Sequence, residues 1–126
     1  MASVDAGGFL FDRAPVRPRI DDVHVDGVLL PRTDSVVVPA TGNALEIAFT
    51  APNFDASDRL RFSYRLVGHD RTWVEGGSER VARYARVRPG RYDFELVGRN
   101  VDGVVTPEPV KLHVRFEAAW WELSSV

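Results

Sequence analysis

Along this chain apolar residues recur at every second position over short stretches, and almost nowhere at helical spacing. From Arg59 to Leu66, Leu60, Phe62, Tyr64 and Leu66 share one face, while Arg59, Arg61, Ser63 and Arg65 share the other. Successive strand side chains point to opposite faces, so this pattern predicts a half-buried strand. The same parity holds for Leu45, Ile47 and Phe49, for Tyr92, Phe94 and Leu96, and for Val110, Leu112, Val114 and Phe116. Shorter candidates are Arg19–Val25, Val28–Leu30, Ser35–Val38, Thr72–Glu75 and Arg80–Val87. The gaps carry turn chemistry. Asp26-Gly27 and Asp102-Gly103 suit tight turns, and Thr41-Gly42-Asn43, Gly76-Gly77 and Pro89-Gly90 are further breakers. Pro107 and Pro109 flank the start of the last strand, where a missing donor is tolerated at an edge. The expected fold is all-β: an antiparallel sandwich of seven to nine strands, of immunoglobulin or fibronectin III type.

The ends differ from the middle. Residues 1–18 contain Gly7-Gly8, Pro15 and Pro18, and read as a linker or a strand borrowed from elsewhere. Phe9, Leu10 and Phe11 are too apolar for a free tail and should pack on something. The sandwich is expected over 19–117 and a tail over 118–126; residues 117–126 could start one helical turn.

The length of 126 residues suits one domain, and 44% hydrophobic with 27% charged residues is an ordinary globular balance. Sixteen basic against eighteen acidic residues leave a net charge of -2, which argues against a nucleic-acid partner. The absence of cysteine excludes disulfides, thiolate metal sites and thiol nucleophiles. Apolar runs such as Phe9–Phe11 and Ala118–Trp121 are too short for a membrane-spanning helix. The first five residues lack the features of a signal peptide, so the chain is either cytoplasmic or a piece of a longer protein.

Candidate chemistry is sparse. His24 and His113 fall at outward strand positions and His69 in a turn, without ligand spacing, so no metal or cofactor is expected. No serine lies in a nucleophile elbow. Asp21 and Asp22 should point to opposite faces, and Asp55 and Asp58 suit turn stabilisation. Gly7-Gly8 and Gly76-Gly77 lack the spacing of a phosphate loop. Arg80, Arg83, Arg86, Arg88 and Arg91 form a basic run interspersed with Glu79, Asp93 and Glu95; a solvated face is favoured over an anion or partner site. Trp73 is expected to pack across the sandwich. Trp120-Trp121 suits a membrane-interface belt, a lid on the sandwich, or a dimer contact.

The three tyrosines, Tyr64, Tyr84 and Tyr92, stand in contexts that resemble the three-Y (Y_Y_Y) domain of two-component regulators. Also similar are Phe49-Thr50-Ala51, the run Gly68-His69-Asp70-Arg71-Thr72-Trp73, Pro89-Gly90 before Tyr92, Asn100-Val101-Asp102-Gly103, and the terminal tryptophans. The resemblance spans residues 19–121. Val104-Val105-Thr106-Pro107 lacks an aromatic often found there, and Glu117-Ala118-Ala119 lacks the usual proline. In that family the domain is an immunoglobulin-like sandwich between an extracytoplasmic β-propeller sensor and a transmembrane helix leading to a cytoplasmic output domain.

The resemblance therefore implies a periplasmic, non-catalytic module of an inner-membrane sensor, with residues 118–126 as a juxtamembrane tail. It would couple the propeller to the output through homodimer contacts, with Trp120 and Trp121 as possible interface residues. Tyr64, Tyr84 and Tyr92 are expected to be structural, Tyr92 as a tyrosine corner with its ring in the core. The alternative is a carbohydrate- or peptide-binding module, which would need exposed tryptophans on a flat face; an enzyme would need paired catalytic groups in a cleft.

Overall fold

The computed structural model describes residues 15–40, 43–52, 59–100 and 103–118. Among them are nine strands: β1 (Arg19–Val25), β2 (Val28–Leu29), β3 (Ser35–Val38), β4 (Ala44–Thr50), β5 (Arg61–Val67), β6 (Val74–Gly77), β7 (Val81–Ala85), β8 (Gly90–Arg99) and β9 (Val110–Phe116). They form two sheets, ordered β2-β1-β4-β7 and β3-β9-β8-β5-β6. The inner faces of the two sheets enclose one core, in which Phe49, Phe62, Phe94, Leu66 and Ile47 are almost wholly buried. The architecture is an immunoglobulin or fibronectin III-like β-sandwich.

Strand parity decides which side chains enter that core. On β4, Leu45, Ile47 and Phe49 are buried while their neighbours are not. On β5, Phe62 and Leu66 are buried and Tyr64 is half-buried on the same face. β1 breaks the rule. Its register with β4 shifts between Ile20 and Asp22, so Asp21 is an extra residue. A bulge of this kind lets Ile20, Val23 and Val25 all face inward despite unequal spacing. Ahead of β1, Val16 is fully buried.

Three details differ from the sequence-based expectation. Gly76 and Gly77 lie inside β6 rather than in a break. β3 pairs with β9 in parallel, Ser35 opposite His113 through Val38 opposite Phe116, within an otherwise antiparallel sandwich. β9 is accordingly an inner strand; only its first residues, Val110–Leu112, have no partner on the β3 side, and Pro107 and Pro109 lie ahead of it rather than in it.

The chain passes through the sandwich lengthwise. Val16 lies where a methyl group on Gly98 would touch it, beside Phe62, at the start of β5 and the end of β8. β9 begins near that end, Val110 opposite Leu96, and finishes at Phe116 opposite Gly90 and Val38. The described chain thus joins the sandwich at one end, here N-proximal, and leaves at the other, here C-proximal. The two are separated by the run of β9, roughly 23 Å for its seven residues.

Candidate functional site

The aromatic cluster in the C-proximal half is the most specific constellation in the molecule. Tyr64 projects from β5 between Phe94, at 5.8 Å between ring centroids, and Tyr84, at 6.2 Å and edge-on. Tyr84 enters from β7 in the opposite sheet and is 8% exposed. Its hydroxyl donates to Asp70 Oδ2 at 2.7 Å. The same oxygen accepts the Leu66 backbone N–H at 2.9 Å. Leu66 O in turn accepts the N–H groups of His69 and Asp70. Asp70 therefore closes the tight turn after β5 and ties it to the other sheet. Burial, then the bond to Asp70 and its charge, push the Tyr84 phenol well above the usual range; Tyr64 is also raised, first by burial and then by Asp70. Both stay protonated at neutral pH, which suits rigid donors rather than acid–base catalysts.

Tyr92 fixes the C-proximal rim. Its hydroxyl donates to the Arg88 carbonyl at 2.8 Å, four residues upstream, as in a tyrosine corner. Its ring meets Phe116 edge-on at 5.5 Å. Gly68 has a φ of +104°, and a Cβ there would come within 2.9 Å of the Tyr92 ring. Gly68 is thus required twice, by backbone conformation and by the ring lying on it. Pro89 and Gly90 lead into β8 beside the corner.

The remaining motif residues shape turns. Asn100 is buried, and its Oδ1 accepts the Val104 N–H at 3.0 Å, while its carbonyl accepts from Gly103, whose φ is +86°. Asp102, Trp120, Trp121, Asp55, Asp58 and Phe9–Phe11 lie outside the described residues. The structure corrects Trp73: it does not cross into the core but lies half-buried, with the Arg65 guanidinium 4.6 Å from its ring centroid. Arg65 extends this chain outward to Glu95 at 2.7 Å, and Glu95 reaches Lys111 at 3.8 Å. Such a ladder across three adjacent strands follows from the register Arg65–Glu95–Lys111, which strand parity alone does not fix.

The basic run is also divided. Arg80 lies over Phe62 at 5.6 Å, and Arg83 pairs with Glu46 and Glu79, whereas Arg91 is on β8 in the other sheet. The three histidines are on β1, in the turn after β5, and on β9. His69 packs edge-on to Tyr84, and His113 Nδ1 is 2.6 Å from Asp93 Oδ1, a cross-strand pair that linear spacing conceals. Among the described residues no histidine side chain hydrogen-bonds a hydroxyl, and no group of three metal-ligating side chains converges.

The chain belongs to the Y_Y_Y domain family, whose model matches residues 53–117. A stretch of 76 residues is 33% identical to histidine kinase P4 of Formosa agariphila, and the match takes in 60% of this chain and only 5% of that protein. The fold is that of a segment in two solved extracellular domains assigned to hybrid two-component systems of B. thetaiotaomicron. One superposes with a TM-score of 0.76 at 13% identity over 90% of this chain and 17% of that one. The other gives 0.73 at 18% identity over 86% and 16%. The chain spans a small part of each of these relatives.

Proposed function

We propose that this domain is a non-catalytic extracytoplasmic coupling module of a bacterial two-component sensor. In this reading residues 1–18 connect to a preceding β-propeller, 19–117 form the module, and 118–126 lead to a transmembrane helix and a cytoplasmic output domain. The observation that carries it is the lengthwise path of the chain. Movement applied to the segment around Val16 has to cross the whole sandwich before it reaches the chain beyond Phe116. A stiff body can pass on such a displacement as a rigid-body reorientation, provided a bistable contact lies at one end. The family assignment and the histidine-kinase relative support the setting.

Homodimer contacts are proposed as that bistable element, with Trp120 and Trp121 as interface candidates. Light scattering over a concentration series tests this. A mass that rises reversibly from monomer to dimer is expected. A strict monomer at the highest concentration would place self-association outside this domain and overturn the dimer part of the proposal. The alternative role as a carbohydrate- or peptide-binding module draws no support from Trp73, whose ring is covered by Arg65.

A further inference from the structure

We propose that Arg91 and Arg115 form a binding site for a phosphate-type dianion on the outer face of the β3-β9-β8 sheet, at the C-proximal end. The two residues face each other directly across the β8–β9 ladder, and both are exposed. Like charges in this position repel. On the same sheet Arg65 is partnered by Glu95 and Arg99 by Glu75, so the cross-strand arrangement of two facing guanidiniums, rather than the lack of a partner alone, sets this pair apart. Arg91 and Arg115 have no hydrogen bond or ion pair among the described residues. The carboxylate in the next row, Asp93, is taken by His113.

The surface around them is concave. A hollow of about 570 Å³ lies between Pro89, Gly90, Phe116 and Glu117, and another of about 280 Å³ lies beside Ser35 and Val37. Arg91 and Arg115 line both, so the pair sits where the two hollows meet. Each guanidinium offers five N–H donors in a planar fork that suits tetrahedral oxyanions, and two guanidiniums match the charge of a phosphate monoester. Val37, 46% exposed and paired with Arg115 across the β3–β9 ladder, supplies an apolar wall for the group carrying the phosphate. The shared chemistry is the phosphate itself, carried either by a soluble molecule or by a lipid headgroup.

The test is an NMR titration of the isotopically labelled 126-residue chain with inorganic phosphate at constant ionic strength. The Nε–H signals of Arg91 and Arg115 are expected to shift along one saturating curve, while those of Arg17 and Arg71 do not. Arg91→Gln and Arg115→Gln should each weaken binding about tenfold or more, the scale of a lost charge-assisted bond. No saturation, or an equal response at every exposed arginine, would overturn the site. Thermal midpoints without phosphate separate binding from structure. Either variant should keep or raise the midpoint because a repulsion is removed; a lowered midpoint would show that the guanidinium holds the fold, and would overturn the proposal.

A second arm uses phosphatidylcholine vesicles with and without phosphatidic acid. Sedimentation that needs phosphatidic acid, is competed by phosphate and vanishes in the double variant supports the site and identifies a headgroup. Binding of free phosphate alone supports it with a soluble ligand. Vesicle binding that survives the double variant overturns it.

Discussion

The two ends of the sandwich are closed by different chemistry. At the N-proximal end, Val16 packs on Gly98 and Phe62, and Phe62 meets Phe49 edge-on at 5.0 Å. These contacts are apolar, and the hydrogen bonds beside them, between Asn100 and Val104 and between Thr106 and Gly98, stay within the end of β8 and the loop after it. At the C-proximal end, Asp70 binds both the Leu66 N–H and the Tyr84 hydroxyl, Tyr92 binds the Arg88 carbonyl, and Gly68 lies against the Tyr92 ring. Hydrogen bonds fix angles as well as distances. At the N-proximal end the two sheets meet through apolar packing, whereas at the C-proximal end a hydrogen bond through Asp70 also joins them and fixes their relative orientation.

Substitutions should expose this contrast. Phe62→Ala removes a wholly buried ring and should cost about 3–5 kcal/mol in chemical denaturation. A smaller loss would mean that the N-proximal end collapses around the gap. Gly68→Ala combines a positive φ with a Cβ 2.9 Å from Tyr92 and should cost about 2–4 kcal/mol. Its tyrosine fluorescence should change with it, because the corner must shift. Asp70→Ala should cost about 2–3 kcal/mol by leaving two donors unpaired, and Tyr84→Phe about 1–2 kcal/mol. A double-mutant cycle should find these two coupled, and simple additivity would break the proposed tie between turn and sheet.

Alkaline titration is a gentler probe of the same end. The folded-state phenols of Tyr84 and Tyr64 are raised, so their contribution is intact below the unfolded pKa near 10. Above that pH the unfolded chain releases protons that the folded chain retains. Stability should then fall by up to about 1.4 kcal/mol per pH unit for each such tyrosine. Tyr84→Phe should flatten that slope. On the outer face, Lys111→Ala should change stability by less than about 1 kcal/mol, since its 3.8 Å pair with Glu95 is largely exposed on the lysine side.

The strands that bury one face were legible because apolar alternation is a direct consequence of strand geometry. β4, β5, β9 and the stretch Tyr92–Leu96 of β8 follow it, and β1 and β3 match the expected ranges. What escaped detection depends on register. The bulge at Asp21, the parallel pairing of β3 with β9, the Arg65–Glu95–Lys111 ladder and the Asp93–His113 pair all join residues distant in sequence. The outward turn of Trp73 escaped for another reason: a tryptophan contributes as much apolar area against an arginine stem as in a core, so composition does not reveal its side of the sheet. The tyrosines were visible as a spaced motif, but their joint dependence on Asp70 and Gly68 is a property of three dimensions.

The parallel pairing of β3 and β9 has a mechanical consequence. β9 is flanked by β3 on one side and β8 on the other over its last four residues. A pull on Phe116 along the strand loads both flanks in shear, so their hydrogen bonds bear the load together instead of parting one after another as they would on peeling. β9 is therefore fastened on both sides against tension along its length, as a single-flanked edge strand would not be.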